Sequence, residues 1–281
     1  MPGVADYIQI PTVNGTFDAL VDGPEDGRPV VLLHGFPEAS IQWSAQLPVL
    51  AGAGCRAVAP DQRGYSPGAR PEEIFDYRQE ALVDDVLCVA EQLGWQRFDL
   101  VGHDWGAAVA WAVAAHHPER VRSLTAVSVP HPDPFGKAMR EDEDQHQRSS
   151  YMQAFQAKGT ERALLENDAA KLRGIYERRV PQVHVEEYVR RLSEPGALTA
   201  ALNWYRAMRH NGPLGPVRVP TLYVWSTEDV AIGSTAAQSC GDHVEAPYRF
   251  EVLEDLSHWI PEESPETMSR LILENLHAHQ D

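Results

Sequence analysis

The sequence predicts an α/β fold, a mostly parallel sheet flanked by helices on both faces, with a helical segment inserted between two strands. Three observations predict it. Short continuous apolar runs such as Val30-Val31-Leu32-Leu33 recur along the chain, and such runs suit strands buried on both faces. Helical patterns alternate with them, the order that builds parallel sheets. From Asp133 to Pro216 the strand-like runs vanish and charged, helix-forming residues take over.

Taken in order, the first segment alternates and turns at Asn14-Gly15 before Phe17 to Asp22, the pattern of a hairpin. Buried-strand texture follows at Val30 to Leu33, Cys55 to Pro60, Phe98 to Gly102, Ser123 to Val129, Thr221 to Trp225 and Phe250 to Leu253. Between them, Glu80 to Leu93 aligns Leu82, Val86, Val89, Ala90 and Leu93 on one stripe closed by Gly94, which predicts a helix. Gly106 to His116, rich in Ala, Val and Trp, predicts a helix packed tightly on the sheet, and Glu266 to Leu276 an amphipathic terminal helix. Residues 1–132 and 217–281 then form the core, and 133–216 a lid over the carboxyl ends of the strands, where open α/β sheets bind ligands. Pro132, Pro134 and Gly136 mark its start and Pro213, Gly215 and Pro216 its end, while Arg140 to Arg148 (REDEDQHQR) is expected to be a solvated face or loop.

Composition narrows the function classes. With 43% hydrophobic and 23% charged residues among 281, the chain is an ordinary globular protein rather than a disordered or fibrous one. A formal charge of -17, from 24 basic against 41 acidic residues, excludes the basic face that nucleic acid or an anionic membrane would require. Met1 to Ile10 has neither a basic stretch nor an apolar one, so no secretory signal is expected, and no apolar run reaches the ~20 residues of a membrane span. Cys55, Cys88 and Cys240 are odd in number, far apart and free of any CxxC, which points to small core residues in a reducing cytoplasm.

Gly102-His103-Asp104-Trp105-Gly106 follows an expected strand and opens an expected helix. It fits the nucleophile elbow, G-x-nucleophile-x-G, with Asp104 where serine hydrolases carry Ser. A tight strand-to-helix turn leaves no room for Cβ atoms beside the nucleophile, hence the glycines. The plain alternative is that Asp104 is only a helix N-cap. A carboxylate restricts the chemistry, because attack on an sp³ carbon yields an ester that water can cleave, whereas a serine would yield an inert ether. The pattern therefore points to an epoxide or a haloalkane as substrate.

In a fold with such an elbow, the loop after the strand ending at Leu33 supplies one oxyanion-hole N–H and the residue after the nucleophile the other. The corresponding backbones are Phe36 and Trp105. His34 reads as a structural loop histidine, since no metal ligand is spaced with it. His258, in Ser257-His258-Trp259 ahead of the terminal helix, is the natural general base, with His103, His116, His117, His131 and His243 as rivals by type. Asp229, just beyond a strand, would orient it, with Glu228 and Asp133 as alternative acids.

With these residues in place, the chain resembles the epoxide hydrolases of the α/β-hydrolase fold over nearly its whole length. The matching pieces are His34-Gly35-Phe36-Pro37-Glu38, Asp61-Gln62-Arg63-Gly64-Tyr65-Ser66, Gly102 to Gly106, Thr227-Glu228-Asp229 and Ser257-His258-Trp259. The resemblance implies two lid tyrosines that hold the epoxide oxygen. One looks like Tyr205, in Leu202-Asn203-Trp204-Tyr205-Arg206-Ala207-Met208. The other looks like Tyr151, although Lys158 stands where the family often has Pro and Ala154 replaces a bulkier residue. An alkoxide leaving group needs such donors, whereas a halide does not. The activity implied is hydrolysis of a small hydrophobic epoxide by water, with no cofactor and no metal, and with a homodimer left open. A haloalkane dehalogenase using the same nucleophile and a non-catalytic binding member of the fold are the alternatives.

Overall fold

The amino-terminal alternation resolves into a hairpin in which β1 (Asp6–Thr12) and β2 (Gly15–Asp22) run antiparallel with Thr12 opposite Gly15. The computed structural model describes residues 5–208 and 212–279. Residues 1–4, 209–211 and 280–281 lie outside the described residues; they include the start of the stretch read for a secretory signal and a piece near the end of the helical insertion.

The continuous apolar runs become β3 (Arg28–Leu33), β4 (Cys55–Pro60), β5 (Phe98–His103), β6 (Val121–Val127), β7 (Thr221–Ser226) and β8 (Tyr248–Leu253). Together with the hairpin they form a sheet of order β1-β2-β4-β3-β5-β6-β7-β8. It is antiparallel at β1-β2 and β2-β4 and parallel elsewhere. Leu33 pairs with Gly102, so the carboxyl ends of β3 and β5 lie side by side where the strand order reverses. That is the position at which open α/β sheets take ligands.

Helices α1 (Gln46–Gly52), α2 (Gln79–Gln92) and α3 (Trp105–His116) follow β3, β4 and β5. The period-2 pleat sends Val31 and Leu33 to one apolar core and Val30 and Leu32 to the other, so each face of β3 is covered. α2 stops where Gly94, at φ 76°, supplies a left-handed residue that others adopt only with strain.

Between β6 and β7 the described chain is helical: α4 (Pro132–Glu141), α5 (Glu143–Arg148), α6 (Tyr151–Gln156), α7 (Thr160–Ile175), α8 (Gln182–Leu192) and α9 (Ala197–Ala207). α7 is broken at Glu166–Ala169, three of whose residues have positive φ. Short α10 (Ser234–Gln238) and α11 (Ile260–Glu263) precede the terminal α12 (Pro265–Ala278), whose Met268, Leu271 and Ile272 close the second core with Leu47 and Leu50 of α1.

Specific polar ties fix the helical segment to the sheet. Arg191 of α8 pairs with the buried Asp61, which also accepts the Ser40 N–H at 2.7 Å. The Trp204 indole donates to the Arg63 carbonyl at 3.0 Å, and the Tyr176 hydroxyl to the Pro37 carbonyl at 2.7 Å. Arg63 is itself held by two bonds of 2.6 Å to Asp85. No helix among the described residues is long and apolar enough to cross a membrane.

Three expectations change. The run at Phe250 to Leu253, expected to be a buried strand, lies in β8 at the sheet edge, where no residue is fully buried. The strand expected through Val129 leaves the sheet after Val127, because Ser128 turns into the left-handed region at φ 66°. The 140–148 run is helix rather than loop, split at Asp142 between α4 and α5, and two of its residues face inward to the loop after β7. Cys55 and Cys240 are buried and Cys88 is half-buried, all three as free thiols.

Candidate active site

The elbow forms because two glycines let three backbone segments approach. A Cβ on Gly102 would sit 2.3 Å from the Gly106 carbonyl oxygen, and one on Gly106 would sit 2.2 Å from the Leu33 carbonyl oxygen. Asp104 between them takes φ 52° and ψ -120°, a conformation costly for a side chain with a Cβ and held by the surrounding packing. Its carbonyl starts α3, accepting from Ala107 and Ala108 at 3.0 and 3.1 Å. Its carboxylate points across the end of β3, where Oδ1 accepts the Phe36 N–H at 2.8 Å. Gly35 is required there too, since a Cβ would meet Asp104 Oδ1 at 2.4 Å. The Trp105 N–H opens α3 and has no intrahelical acceptor.

His258 arrives on the loop after β8. Its Nε2 lies 3.5 Å from Asp104 Oδ2, and its Nδ1 lies 3.1 Å from both oxygens of Asp229. Asp229 sits in the turn after β7, where its Oδ1 also accepts the N–H groups of Ala231 and Ile232 at 2.8 and 3.0 Å. The three candidates thus converge from three strand ends. The alternative acids do not join them. Glu228 is exposed on Arg179 at 2.9 Å, and Asp133 accepts from the N–H groups of Leu214 and Gly215 at 2.9 and 3.2 Å, pinning the start of the insertion to its end.

The rival histidines have other work. His34 donates to the Gly35 carbonyl and accepts the Gln62 N–H at 3.1 Å, so it braces the loop as a structural residue. His103 Nε2 meets the His258 carbonyl at 2.9 Å, and its Nδ1 faces Glu38 Oε2 at 3.0 Å. Burial drives His103 down to about 4 and Glu38 up to about 8, and Gln42 Nε2 lies 2.6 Å from the same His103 Nδ1. His131 and His243 cluster with Asp133. Their rings stack at 21°, so one ion could not lie in both ring planes, which argues against a metal there.

Charge among Asp104, His258 and Asp229 is strongly coupled. Burial opposes ionisation of Asp104, but the hydrogen bond and charge of His258, with His103 and the Phe36 N–H, hold its carboxyl below the ordinary value. Asp229 is likewise held down against burial, by His258, the Ser128 hydroxyl and the Ala231 N–H. For His258 burial disfavours the proton, and the two carboxylates win, raising it well above the usual histidine range. The resting arrangement is an imidazolium between two carboxylates.

Asp104 forms part of the floor of a cavity of about 560 Å³. Tyr151 of α6 and Tyr205 of α9 line the same cavity, their rings 6.3 Å apart, with apolar walls that include Leu82, Val109, Phe135, Met139, Met152 and Ile232. Tyr205 packs edge-on against Trp105 at 5.1 Å and Phe36 at 5.4 Å, and Phe155 lies against both tyrosines. Desolvation, reinforced by the Asp104 charge, lifts both phenols well above their ordinary range, so they remain hydrogen-bond donors.

A family model described as alpha/beta hydrolase fold matches residues 28–265. Epoxide hydrolase A of Mycobacterium tuberculosis is 31% identical over 307 residues, an alignment covering 94% of this chain and 95% of that protein. The chain belongs to the epoxide-hydrolase family of the α/β-hydrolase fold. The AB hydrolase superfamily protein YfhM of Bacillus subtilis is 38% identical over 281 residues, covering 95% of this chain and 97% of the relative. The crystal structure of the Bacillus megaterium epoxide hydrolase in complex with an inhibitor superposes with a TM-score of 0.86 at 25% identity, covering 97% of this chain and 100% of that one.

Within this member of the family, sequence reasoning missed three side chains that touch Asp229, His258 or the loop after β7. The Ser128 hydroxyl lies 2.7 Å from Asp229 Oδ2 and 2.9 Å from His258 Nδ1. Gln145 donates to the Ala231 carbonyl and accepts the Gly233 N–H, both at 2.8 Å, and Arg148 donates to the Asp229 carbonyl at 2.6 Å. Only the charge run marks the last two in the sequence, and charge runs are usually solvent-facing.

Proposed function

We propose that the protein hydrolyses a small hydrophobic epoxide to a vicinal diol without a cofactor, through a covalent ester on Asp104. The observation that carries this reading is the shared cavity, in which two protonated tyrosines line the walls around the Asp104 carboxylate. Asp104 attacks one ring carbon, the ring C–O bond breaks, and Tyr151 and Tyr205 hydrogen-bond or protonate the departing oxygen. The inserted segment 133–216 acts as the lid that carries both tyrosines and keeps bulk water from the site.

Ester formation also changes the charge beside His258. Of the two carboxylates that hold its proton, one becomes neutral, so its proton affinity falls. The proton it gives up replaces the one lent to the alkoxide. Neutral His258, oriented by Asp229, then takes a proton from a water that attacks the ester carbonyl. The N–H groups of Phe36 and Trp105 hold the oxyanion, and collapse releases the diol with an oxygen from Asp104. The dehalogenase alternative gains no support from position 36, where a phenyl ring packed on Tyr205 offers no side-chain N–H to a halide. An intact nucleophile, base and acid in reach of one another also argues against a merely binding protein.

Single turnover in heavy-oxygen water tests the route. The first diol formed should carry unlabelled oxygen from Asp104, and label in that first diol would overturn the covalent mechanism.

A further inference from the structure

We propose that Ser128 is a positioning residue for the second half-reaction, hydrolysis of the ester on Asp104; this rests on the mechanism above. The hydroxyl donates to Asp229 Oδ2 at 2.7 Å and lies 2.9 Å from His258 Nδ1, nearer than either carboxylate oxygen at 3.1 Å. It therefore accepts the Nδ1–H while donating to the acid, and closes a triangle of acid, hydroxyl and imidazole.

The backbone holds it there against its preference. Ser128 has φ 66°, its N–H donates to the Val224 carbonyl at 2.8 Å, and its carbonyl accepts the Tyr223 hydroxyl at 2.7 Å. Two bonds to β7 thus fix a fully buried residue in a strained conformation, the situation in which strain serves a site. A bifurcated Nδ1–H contact to Asp229 alone leaves the imidazole free to tilt in the carboxylate plane. The third acceptor removes that freedom and keeps Nε2 facing Asp104 and its attacking water.

The role separates the two steps. Ring opening needs Asp104 as a carboxylate and the tyrosines as donors, none of which Ser128 touches. Ester hydrolysis needs an aligned, neutral His258. Stopped-flow tryptophan fluorescence and quenched-flow intact mass, run on wild type, Ser128→Ala and Ser128→Gly with an epoxide that wild type turns over, resolve them. Glycine is included because it accepts the left-handed backbone without strain. Ester formation should stay within about twofold of wild type, whereas hydrolysis should slow on the order of 10- to 100-fold, so that alkylated protein accumulates. Hydrolysis at the wild-type rate in both variants overturns the assignment. Equal slowing of both steps, or loss of fold in both variants, assigns Ser128 a structural role only and also overturns it. If quenched wild type never carries the added mass of an epoxide, the Asp104 mechanism falls, and the Ser128 proposal with it.

Discussion

Arg148 donates to the main-chain carbonyl of Asp229 at 2.6 Å, so a helix of the insertion grips the residue whose carboxylate lies 3.1 Å from His258 Nδ1. Two turns of polar sequence thereby connect the helical insertion to the candidate triad. Gln145 completes the grip one turn earlier, through Ala231 and Gly233. Gln145→Leu would leave a buried N–H and a buried carbonyl without partners, a loss of roughly 2–4 kcal/mol. A fall in Tm of roughly 5 °C or more is expected by calorimetry, with slower turnover. An unchanged Tm would show that water replaces both bonds.

Gly35→Ala places a methyl 2.3 Å from Asp104 Cβ. The loop or the aspartate must move, and a shift near 1 Å at a reacting group costs on the order of 10²-fold in rate. Ester formation should drop by about that factor while far-UV circular dichroism stays that of wild type.

Much of the fold and of the candidate site is legible in the sequence, for a reason visible at particular residues. Val30 to Leu33 is apolar without interruption and Phe98 to Gly102 is broken only by Asp99, which pairs with Arg28 at 2.6 Å, because both of their faces are covered, and Gly102 and Gly106 flank Asp104 at positions where no Cβ fits. Asp229 follows β7, which is buried along its whole length, whereas His258 follows the edge strand β8. Ser128 carries no such signal, since a serine ending a strand looks like any other until its backbone turns to φ 66°. Gln145 and Arg148 are masked by their neighbours, five acidic or amide residues that do face solvent or lie at the surface. Which way a polar helix faces is decided by what packs against it, and periodicity in a run without apolar residues cannot register that.

Tyr205→Phe and Tyr151→Phe should each slow ring opening on the order of 10²-fold, with substrate affinity changed only a few-fold. The double variant should be slower than either. Quenching of fluorescence from Trp105 and Trp204, which also line the cavity, gives the rate directly. Full activity in the double variant, with halide released from a haloalkane, would favour the dehalogenase reading.

Glu38 gives a pH signature. Burial raises its carboxyl from 4.5 to about 8, so the folded protein keeps a proton that the unfolded chain loses near 4.5. Its contribution is fully present below the unfolded value and is lost as pH rises toward 8, by about 1.4 kcal/mol per pH unit at most. Glu38→Gln does not titrate. Plotted against pH from 4.5 to 8, the Tm of Glu38→Gln minus that of wild type should therefore become steadily more positive. A flat difference would mean that Glu38 is ionised throughout.

The bond from Trp204 to the Arg63 carbonyl makes the cavity unequal in its two sides. The side bearing Tyr205 is built on a helix locked to the Asp61–Ser66 loop, where Gly64 leaves only 2.9 Å between an added Cβ and Ala200. Change there would disturb the chemistry along with the shape. Phe135 and Met139 also line the cavity, on α4, a helix that carries none of the candidate catalytic residues. A lineage, or a laboratory selection, can therefore retune which molecules fit by drifting at those two positions with the candidate catalytic residues left in place.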